Sequence, residues 1–155
     1  MNLRLALLGL ALAGCFSATQ RREEDLIQSA RMFNDDLRWA RWDQMGSSML
    51  PEERPLFLSR VDLVNNDLVM CDFEVKNIRF DTGSNAATVT VAIDWYSKRD
   101  PNLRNTTLEQ RWETRKGNWV MVKQRRTHGE RFPLVTESAT EKADGASGPT
   151  GGRKE

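Results

Sequence analysis

The chain has 155 residues, with 23 Lys and Arg against 22 Asp and Glu, and a formal charge of +1. This balance excludes a general polyanion binder, so nucleic acid is not an expected partner. Hydrophobic residues at 39% and charged residues at 29% exclude both a multispan membrane protein and a fully disordered chain. We therefore expect one small globular domain.

The first residues have the pattern of an export signal. A positive charge at Arg4 precedes an apolar run that is too short to span a bilayer. The run ends in Leu12-Ala13-Gly14-Cys15, which resembles the lipobox of bacterial lipoproteins. The resemblance implies cleavage between Gly14 and Cys15, with residues 1–14 as the signal peptide. It also implies acyl chains such as palmitate on Cys15.

The same resemblance implies a lipid-anchored protein of the bacterial cell envelope, with its domain outside the cytoplasm. Phe16 stands where an Asp would resemble a signal for the inner membrane, and this favours the outer membrane. Residues 15–20 form a short tether that keeps the domain within about 20 Å of the bilayer. Once Cys15 is acylated, Cys71 has no disulfide partner within the chain, and we expect it to be a small buried apolar side chain.

From Arg21 the apolar residues follow helical spacing. Spacings of four and three predict one amphipathic helix, and its stripe consists of Leu26, Ala30, Phe33, Leu37 and Ala40. Trp39, Trp42 and Met45 extend the pattern until Gly46-Ser47-Ser48 interrupts it. Pro51 then predicts the first turn of a second helix. The apolar residues of that helix are Leu56, Phe57 and Val61.

After Asp67 the apolar period changes to two, which predicts strands. On the first strand the pattern shifts by one residue before Ile78, and this predicts a bulge at Lys76-Asn77. A turn at residues 81–85 makes a hairpin with the second strand. The apolar face of the first strand is assigned to Val69, Cys71, Phe73 and Val75, and that of the second to Val89, Val91, Ile93 and Trp95.

A loop from Lys98 to Asn105, which contains Pro101, is predicted before the third strand. The turn Lys116-Gly117-Asn118 then leads into a fourth strand that begins at Trp119. Residues 137–155 carry no large apolar side chain, and we expect a disordered tail. The third strand carries Leu108, Gln110 and Trp112.

Helices followed by long antiparallel strands predict an α+β domain in which N-terminal helices pack on a curved four-stranded antiparallel sheet. This pattern, over residues 21–136, resembles the NTF2-like fold, also called SnoaL-like or cystatin-like. The fold hosts enzymes, ligand binders and assembly modules, so the resemblance does not select among these functions. It is carried by Trp39-Ala40-Arg41-Trp42, Ala87-Thr88-Val89-Thr90-Val91, Gln110-Arg111-Trp112 and Gly117-Asn118-Trp119-Val120.

Catalytic residues are sparse in this sequence. Enzymes that resemble ketosteroid isomerase place an acid or base and a Tyr inside the cone, but Asp94 and Tyr96 share the Thr-rich face of their strand, away from the helices. A catalytic pair of Cys71 and His128 requires the fold to bring them together. One His and one unmodified Cys do not build a tetrahedral metal site, so we expect no metal and no cofactor. An isomerase or dehydratase stays the third hypothesis.

Two apolar features point to binding. Four tryptophans are candidates for a cavity that takes a small molecule or a glycan: Trp39, Trp42, Trp95 and Trp112. The fourth strand is apolar on both faces over Trp119, Val120, Met121 and Val122. In our first hypothesis, a second copy of the chain or another envelope protein covers one of these faces. In the alternative, the residues after Arg126 fold back over it, including Phe132 to Val135. The preferred function is a non-enzymatic interaction module.

Overall fold

In the computed structural model of the protein, the backbone is described for residues 3–83 and 85–135, and side chains are described for residues 20–83 and 85–135. Within these residues three helices precede a four-stranded antiparallel sheet, which confirms the α+β class. No described helix is long and apolar enough to cross a membrane. The elements are α1 Leu3–Arg38, α2 Trp42–Ser47, α3 Arg54–Val64, β1 Leu68–Phe80, β2 Ala86–Ser97, β3 Asp100–Arg115 and β4 Asn118–Gly129.

The stripe of α1 packs on the inner face of the sheet, where Leu26, Ala30 and Phe33 are fully buried. Ala40 was expected in the same stripe and is exposed instead. The helix ends at Arg38, and Ala40 has a φ of 54°, which turns the chain away from the helix axis. The apolar stripe is therefore one residue shorter than the spacing predicted.

The second predicted helix is α3, which begins at Arg54 and not at Pro51. Residues 51–53 form turns, and Pro55 occupies the first turn of the helix, where its missing N–H leaves no hydrogen bond unmade. Phe57 and Val61 are buried as expected, whereas Leu56 is 50% exposed.

The sheet is a meander in the order β1-β2-β3-β4. The predicted bulge in β1 is confirmed, because the register to β2 shifts between Val75 and Asn77. A second shift lies between Met70 and Asp72 and leaves Cys71 as an extra residue. The face predicted for the first half of β1 was therefore wrong. Leu68 and Met70 face the core, while Val69 and Cys71 are only half-buried.

The loop predicted from Lys98 to Asn105 is not a loop, because β3 begins at Asp100 and only Lys98 and Arg99 connect the strands. Asp67 holds this turn. Its carbonyl accepts a hydrogen bond from the Lys98 N–H at 2.9 Å, and its carboxylate accepts one from Ser97 Oγ at 2.7 Å. The Ser97 hydroxyl, together with the Arg99 N–H, lowers the pKa of the Asp67 carboxyl.

Pro101 is accommodated in β3 because the pairing is irregular at that point. Trp95 pairs with Arg104 and Ser97 with Asp100, so residues 101–103 lie opposite Tyr96 alone. A proline in such a bulge removes no ladder hydrogen bond.

After β4 the chain folds back over the core. Gly129 has a φ of 82°, and the next N–H, that of Glu130, donates to the Asn105 carbonyl at 3.0 Å. Phe132 then packs edge-to-face on Trp95, with 5.5 Å between ring centroids. The backbone approach is so close that a Cβ on Gly129 would lie 2.2 Å from the Asn105 oxygen. Residues 130–135 thus fold back on the domain, and the ring contact they make is with Trp95 of β2, not with the fourth strand as the alternative supposed.

Gly117 and Gly129 have nearly equal φ, so alanine substitutions at the two positions distinguish the cost of backbone strain from that of a steric clash. We expect Gly117→Ala, at a φ of 85° with nothing within 4 Å of its Cβ, to lower the free energy of unfolding by about 1–2 kcal/mol. Gly129→Ala carries the same strain together with the backbone clash, so we expect a clearly larger loss. Urea unfolding followed by tryptophan fluorescence measures both, and equal losses would contradict the close approach at Gly129.

Candidate functional site: a groove beside β4

A groove runs between α3 and the free side of β4. Its volume is about 330 Å³. Ten residues line it, and the six apolar ones, here called its floor, are Met49, Leu56, Phe57, Met121, Val122 and Leu134. Glu53, Arg60, Lys123 and Gln124 supply the polar part of its lining.

The groove exists because β4 is an edge strand that is covered only in part. The segment before α3 adds one bridge, in which Met121 N–H donates to the Ser48 carbonyl at 2.9 Å. No strand follows on this side in the described residues, since the sheet ends at β4. The stretch from Val122 onward therefore leaves an open sheet edge next to an apolar floor.

The doubly apolar stretch of β4 is explained by a bulge. Trp119 and Met121 face the core, with exposed fractions of 8% and 1%. The register to β3 shifts between Arg111 and Trp112, which leaves Val122 as the extra residue and lets it line the groove. Val120 pairs with Glu113 and is half-buried on the opposite face. The four candidate interface residues thus divide among core, groove and outer face.

Trp119 fixes the beginning of β4 to two other elements. Its Nε1–H donates to the carbonyl of Arg22 on α1 at 3.1 Å, and its ring packs on Phe80 of β1 at 6.1 Å between centroids. Because these contacts belong to the core, a partner does not contact most of the Trp119 side chain.

One polar atom of the groove lining has no partner. Oε1 of Gln124 is buried and accepts no hydrogen bond within the part of the chain that the structure describes. An unpaired buried acceptor costs free energy.

The four candidate cavity tryptophans lie in different places. Trp95 and Trp112 are core residues: Trp112 is fully buried and packs edge-to-face on Phe33 at 5.6 Å. Trp39 and Trp42 line a separate groove of about 230 Å³ near the end of α1. Trp39 is 63% exposed, and the guanidinium of Arg38 lies 5.7 Å from the centre of its ring.

Asp94 and Tyr96 lie on the sheet face away from the helices, as their strand pattern predicts, while their neighbours Ile93 and Trp95 are buried. Asp94 accepts a hydrogen bond from the Asn105 amide at 2.7 Å. This position lacks the enclosing apolar surroundings that general acid and base chemistry uses.

Cys71 and His128 are not brought together. Cys71 lies on β1 and His128 on β4, the two opposite edges of the sheet, so three strand spacings of about 4.8 Å separate them. Cys71 is half-buried, not fully buried as expected. Within the described residues, no three His, Cys, Asp or Glu side chains are grouped so that they could hold a metal ion.

Sequence reasoning missed a polar pair inside the core. Asn34 of α1 and Gln110 of β3 are both fully buried. Their amides bind each other in both directions, at 3.1 Å and 2.9 Å, and Asn34 Nδ2 also donates to the Ala30 carbonyl. Gln110 stands between Leu108 and Trp112 in the pattern of the third strand, and a polar residue there was the available signal, whereas the predicted stripe of α1 did not include Asn34. The pair fixes α1 in register against the centre of the sheet.

No protein-family model and no curated protein matches this chain.

The amide pair gives a testable prediction for the core. Asn34→Leu leaves the buried Gln110 amide without its partner, so we expect the free energy of unfolding to fall by about 1–3 kcal/mol. Removing both amides, as Asn34→Leu with Gln110→Met, leaves no orphan from the pair, and the double variant should lose less than the sum of the two single variants. Urea unfolding of the four proteins measures the coupling. Additive losses would contradict a paired interaction.

Proposed function

We propose that the protein is a lipid-anchored lipoprotein of the bacterial cell envelope whose domain is a non-enzymatic interaction module. The observation that carries the interaction part is the groove beside β4, an open sheet edge over an apolar floor. The bound segment in this proposal is an extended stretch of another envelope protein, which adds main-chain hydrogen bonds to the strand edge and places apolar side chains in the groove.

The lining of the groove favours a segment with acidic as well as apolar residues. Arg60 and Lys123 lie along the groove with a single carboxylate, that of Glu53. Opposite charges at the rim set register and the rate of association more than affinity.

The anchor part of the proposal is supported by the sequence alone. Leu12-Ala13-Gly14-Cys15 closes an apolar leader, and Cys15 precedes the residues whose side chains the structure describes. The direction of α1 adds a consequence: Arg22 contacts Asn85 at 3.3 Å, so the chain enters the domain at the end that holds the β1–β2 turn. In this proposal that end lies nearest the bilayer, with the outer membrane favoured, and the groove of Trp39 lies at the opposite end of α1.

The NTF2-like cone is also part of the proposal. It is supported by helices that pack on one face of an antiparallel meander and by register shifts in both edge strands, which increase twist and curvature. The fold itself leaves the function open.

The two alternative functions have less support. A cavity for a small molecule or a glycan requires its tryptophans in one place, and only Trp39 and Trp42 share a groove, which is open and small for such a ligand. An isomerase or dehydratase requires its acid and base inside the cone, whereas Asp94 and Tyr96 lie outside it.

The anchor is tested by Cys15→Ala in the full-length chain. We expect the variant to move from the detergent phase to the aqueous phase in detergent partitioning, because the acyl chains supply the membrane attachment. Cys71→Ser is the matched control and should stay in the detergent phase. Retention of Cys15→Ala with the membrane would mean that another element anchors the protein.

The groove is tested by site-specific photocrosslinking in cells that produce the full-length protein. A benzophenone side chain at Leu56, on the groove, should give one discrete adduct whose partner is identified by mass spectrometry. The same side chain at Leu103, which is 66% exposed at the start of β3, is the matched control and should not give that adduct.

A second variant connects the adduct with the groove floor. Val122→Glu places a charge among apolar groups and should reduce the Leu56 adduct by about tenfold or more, while circular dichroism shows a folded domain. Equal adducts from Leu56 and Leu103, or an adduct that Val122→Glu leaves unchanged, would contradict binding in the groove.

A further inference from the structure

The outer face of the sheet, the face turned away from the helices, contains a small hollow near the turn at residues 81–85. Its volume is about 240 Å³. The strand register places Thr88 beside Arg111, and Arg111 beside Lys123, in one cross-strand row. A short side chain next to long ones leaves such a depression. Five residues on three strands line the hollow: Thr88, Glu109, Arg111, Lys123 and Arg125.

The two arginines of the hollow each bind one carboxylate. Arg125 forms an ion pair with Glu109 across the strands. Arg111 donates to Asp81, which is not part of the lining, at 2.6 Å, and this hydrogen bond lowers the pKa of the Asp81 carboxyl. Each of these bonds uses one guanidinium nitrogen, so both arginines keep further N–H groups that can donate.

Two other donors of the hollow are unpaired. Within residues 20–83 and 85–135, Lys123 Nζ makes no hydrogen bond or ion pair, and Thr88 Oγ1 makes no hydrogen bond. Arg79 lies beside Thr88 on β1 and adds a further cation at the rim, where it also faces Asp81. The hollow therefore has an excess of positive charge and free donors on different strands.

Other charged groups of the outer face do not cancel this excess. Glu113 lies one row closer to the turn and binds Arg115 at 2.6 Å. Glu74 lies two rows away, toward the other end of the sheet, and binds Lys76. His128 pairs with Thr107 in that same row and adds no negative charge. The nearest carboxylates outside the hollow thus have cations of their own.

We infer that this hollow binds a phosphate group. Its three cations and one hydroxyl surround a single small space. A phosphate group offers at least three acceptor oxygens and close to two negative charges, whereas a carboxylate offers two oxygens and one charge. Pockets that enclose a whole drug-sized ligand have volumes of roughly 300–1,000 Å³, so a hollow of about 240 Å³ takes the phosphate and leaves the rest of the ligand outside.

Two sources supply this chemistry, a phospholipid headgroup and a free phosphate or phosphomonoester. Thr88 pairs with Arg79, two residues or about 7 Å before the turn begins at Asp81. That turn lies at the end of the domain that faces the bilayer in the proposed function, and the headgroup region of one leaflet is roughly 5–7 Å thick. Only the lipid source rests on the proposed function, because a free phosphate reaches the hollow with or without an anchor.

Titration with inorganic phosphate tests the site in the full-length protein, held in a neutral detergent and followed by amide NMR. Sodium chloride at equal ionic strength is the reference, because it screens all exposed charges alike. We expect phosphate, and not chloride, to give saturating shifts at Thr88, Arg111 and Lys123.

A second arm distinguishes the two sources. The protein is placed in nanodiscs of phosphatidylcholine with and without phosphatidylglycerol. Saturating shifts with inorganic phosphate assign a free phosphate, and shifts at the same residues only with phosphatidylglycerol assign the lipid. Unchanged spectra in both arms, or shifts that chloride reproduces, would overturn the inference.

A matched pair of threonine variants locates the site, in whichever arm responds. Thr88→Val removes the hydroxyl and keeps the branched shape, so binding should weaken by about five- to tenfold. Thr90→Val is the control, because Thr90 lies one row away on the same strand and face, outside the lining. Equal affinities of the two variants would contradict binding in the hollow.

Glutamate variants test the charge argument in the opposite direction. Glu109→Gln removes the carboxylate of the lining and releases Arg125, so binding should become about two- to fivefold tighter. Glu74→Gln is the control: its carboxylate is 68% exposed on the same face, and its loss should change nothing. Weaker binding by Glu109→Gln would overturn the inference that the cations hold the phosphate.

Failure of this inference and failure of the proposed function are distinguishable. Absence of phosphate-specific shifts in both arms, with detergent partitioning and the Leu56 photoadduct intact, would overturn the phosphate site alone. Cys15→Ala that stays with the membrane, or loss of the Leu56 adduct, would count against the proposed function and leave the titration with inorganic phosphate unaffected.

Discussion

The architecture depends on how each strand keeps its apolar side chains toward the helices while the sheet bends. Side chains alternate between the two faces of a sheet. One additional residue that took part in the pairing would therefore move every later side chain of its strand to the opposite face. In this protein the additional residues sit in the edge strands, at Cys71 and Lys76 of β1 and at Val122 and Thr127 of β4. Each of them absorbs the change in length, and the apolar residues on either side return to the core.

The surfaces that carry our proposals follow from these bulges. Val122 lines the groove only because it is the unpaired residue between Met121 and Lys123. On β1, the bulge at Lys76 places Asp72 and Arg79 on the same outer face, although an uninterrupted strand would put residues seven positions apart on opposite faces. Additional residues in β1 and in β4 therefore decide which side chains share the outer face and which line the groove.

The interior leaves little of the sheet's inner face for chemistry. Phe33, Trp112 and Trp95 fill it, Phe132 covers its end from the returning C-terminal segment, and the amides of Asn34 and Gln110 bind each other. The indole N–H of Trp112 has no hydrogen-bond partner within the described residues.

The sequence by itself determined the class of fold, the stripe of α1, the alternation of β2, the bulge at Lys76 and the turn at Gly117, because each of these is a local pattern of spacing or backbone preference. It also contains the apolar run before Cys15, on which the proposed anchor depends. It did not determine the bulge at Cys71. Two alternating sets of apolar residues, Val69 with Cys71 and Leu68 with Met70, fit the core face of β1 equally well by pattern. It did not predict the tight turn at Lys98 and Arg99, because Asp67, far away along the chain, holds that turn. The separation of Cys71 from His128, the division of the tryptophans and the groove were decided only by tertiary structure, since each depends on which strands are neighbours and on where their register shifts.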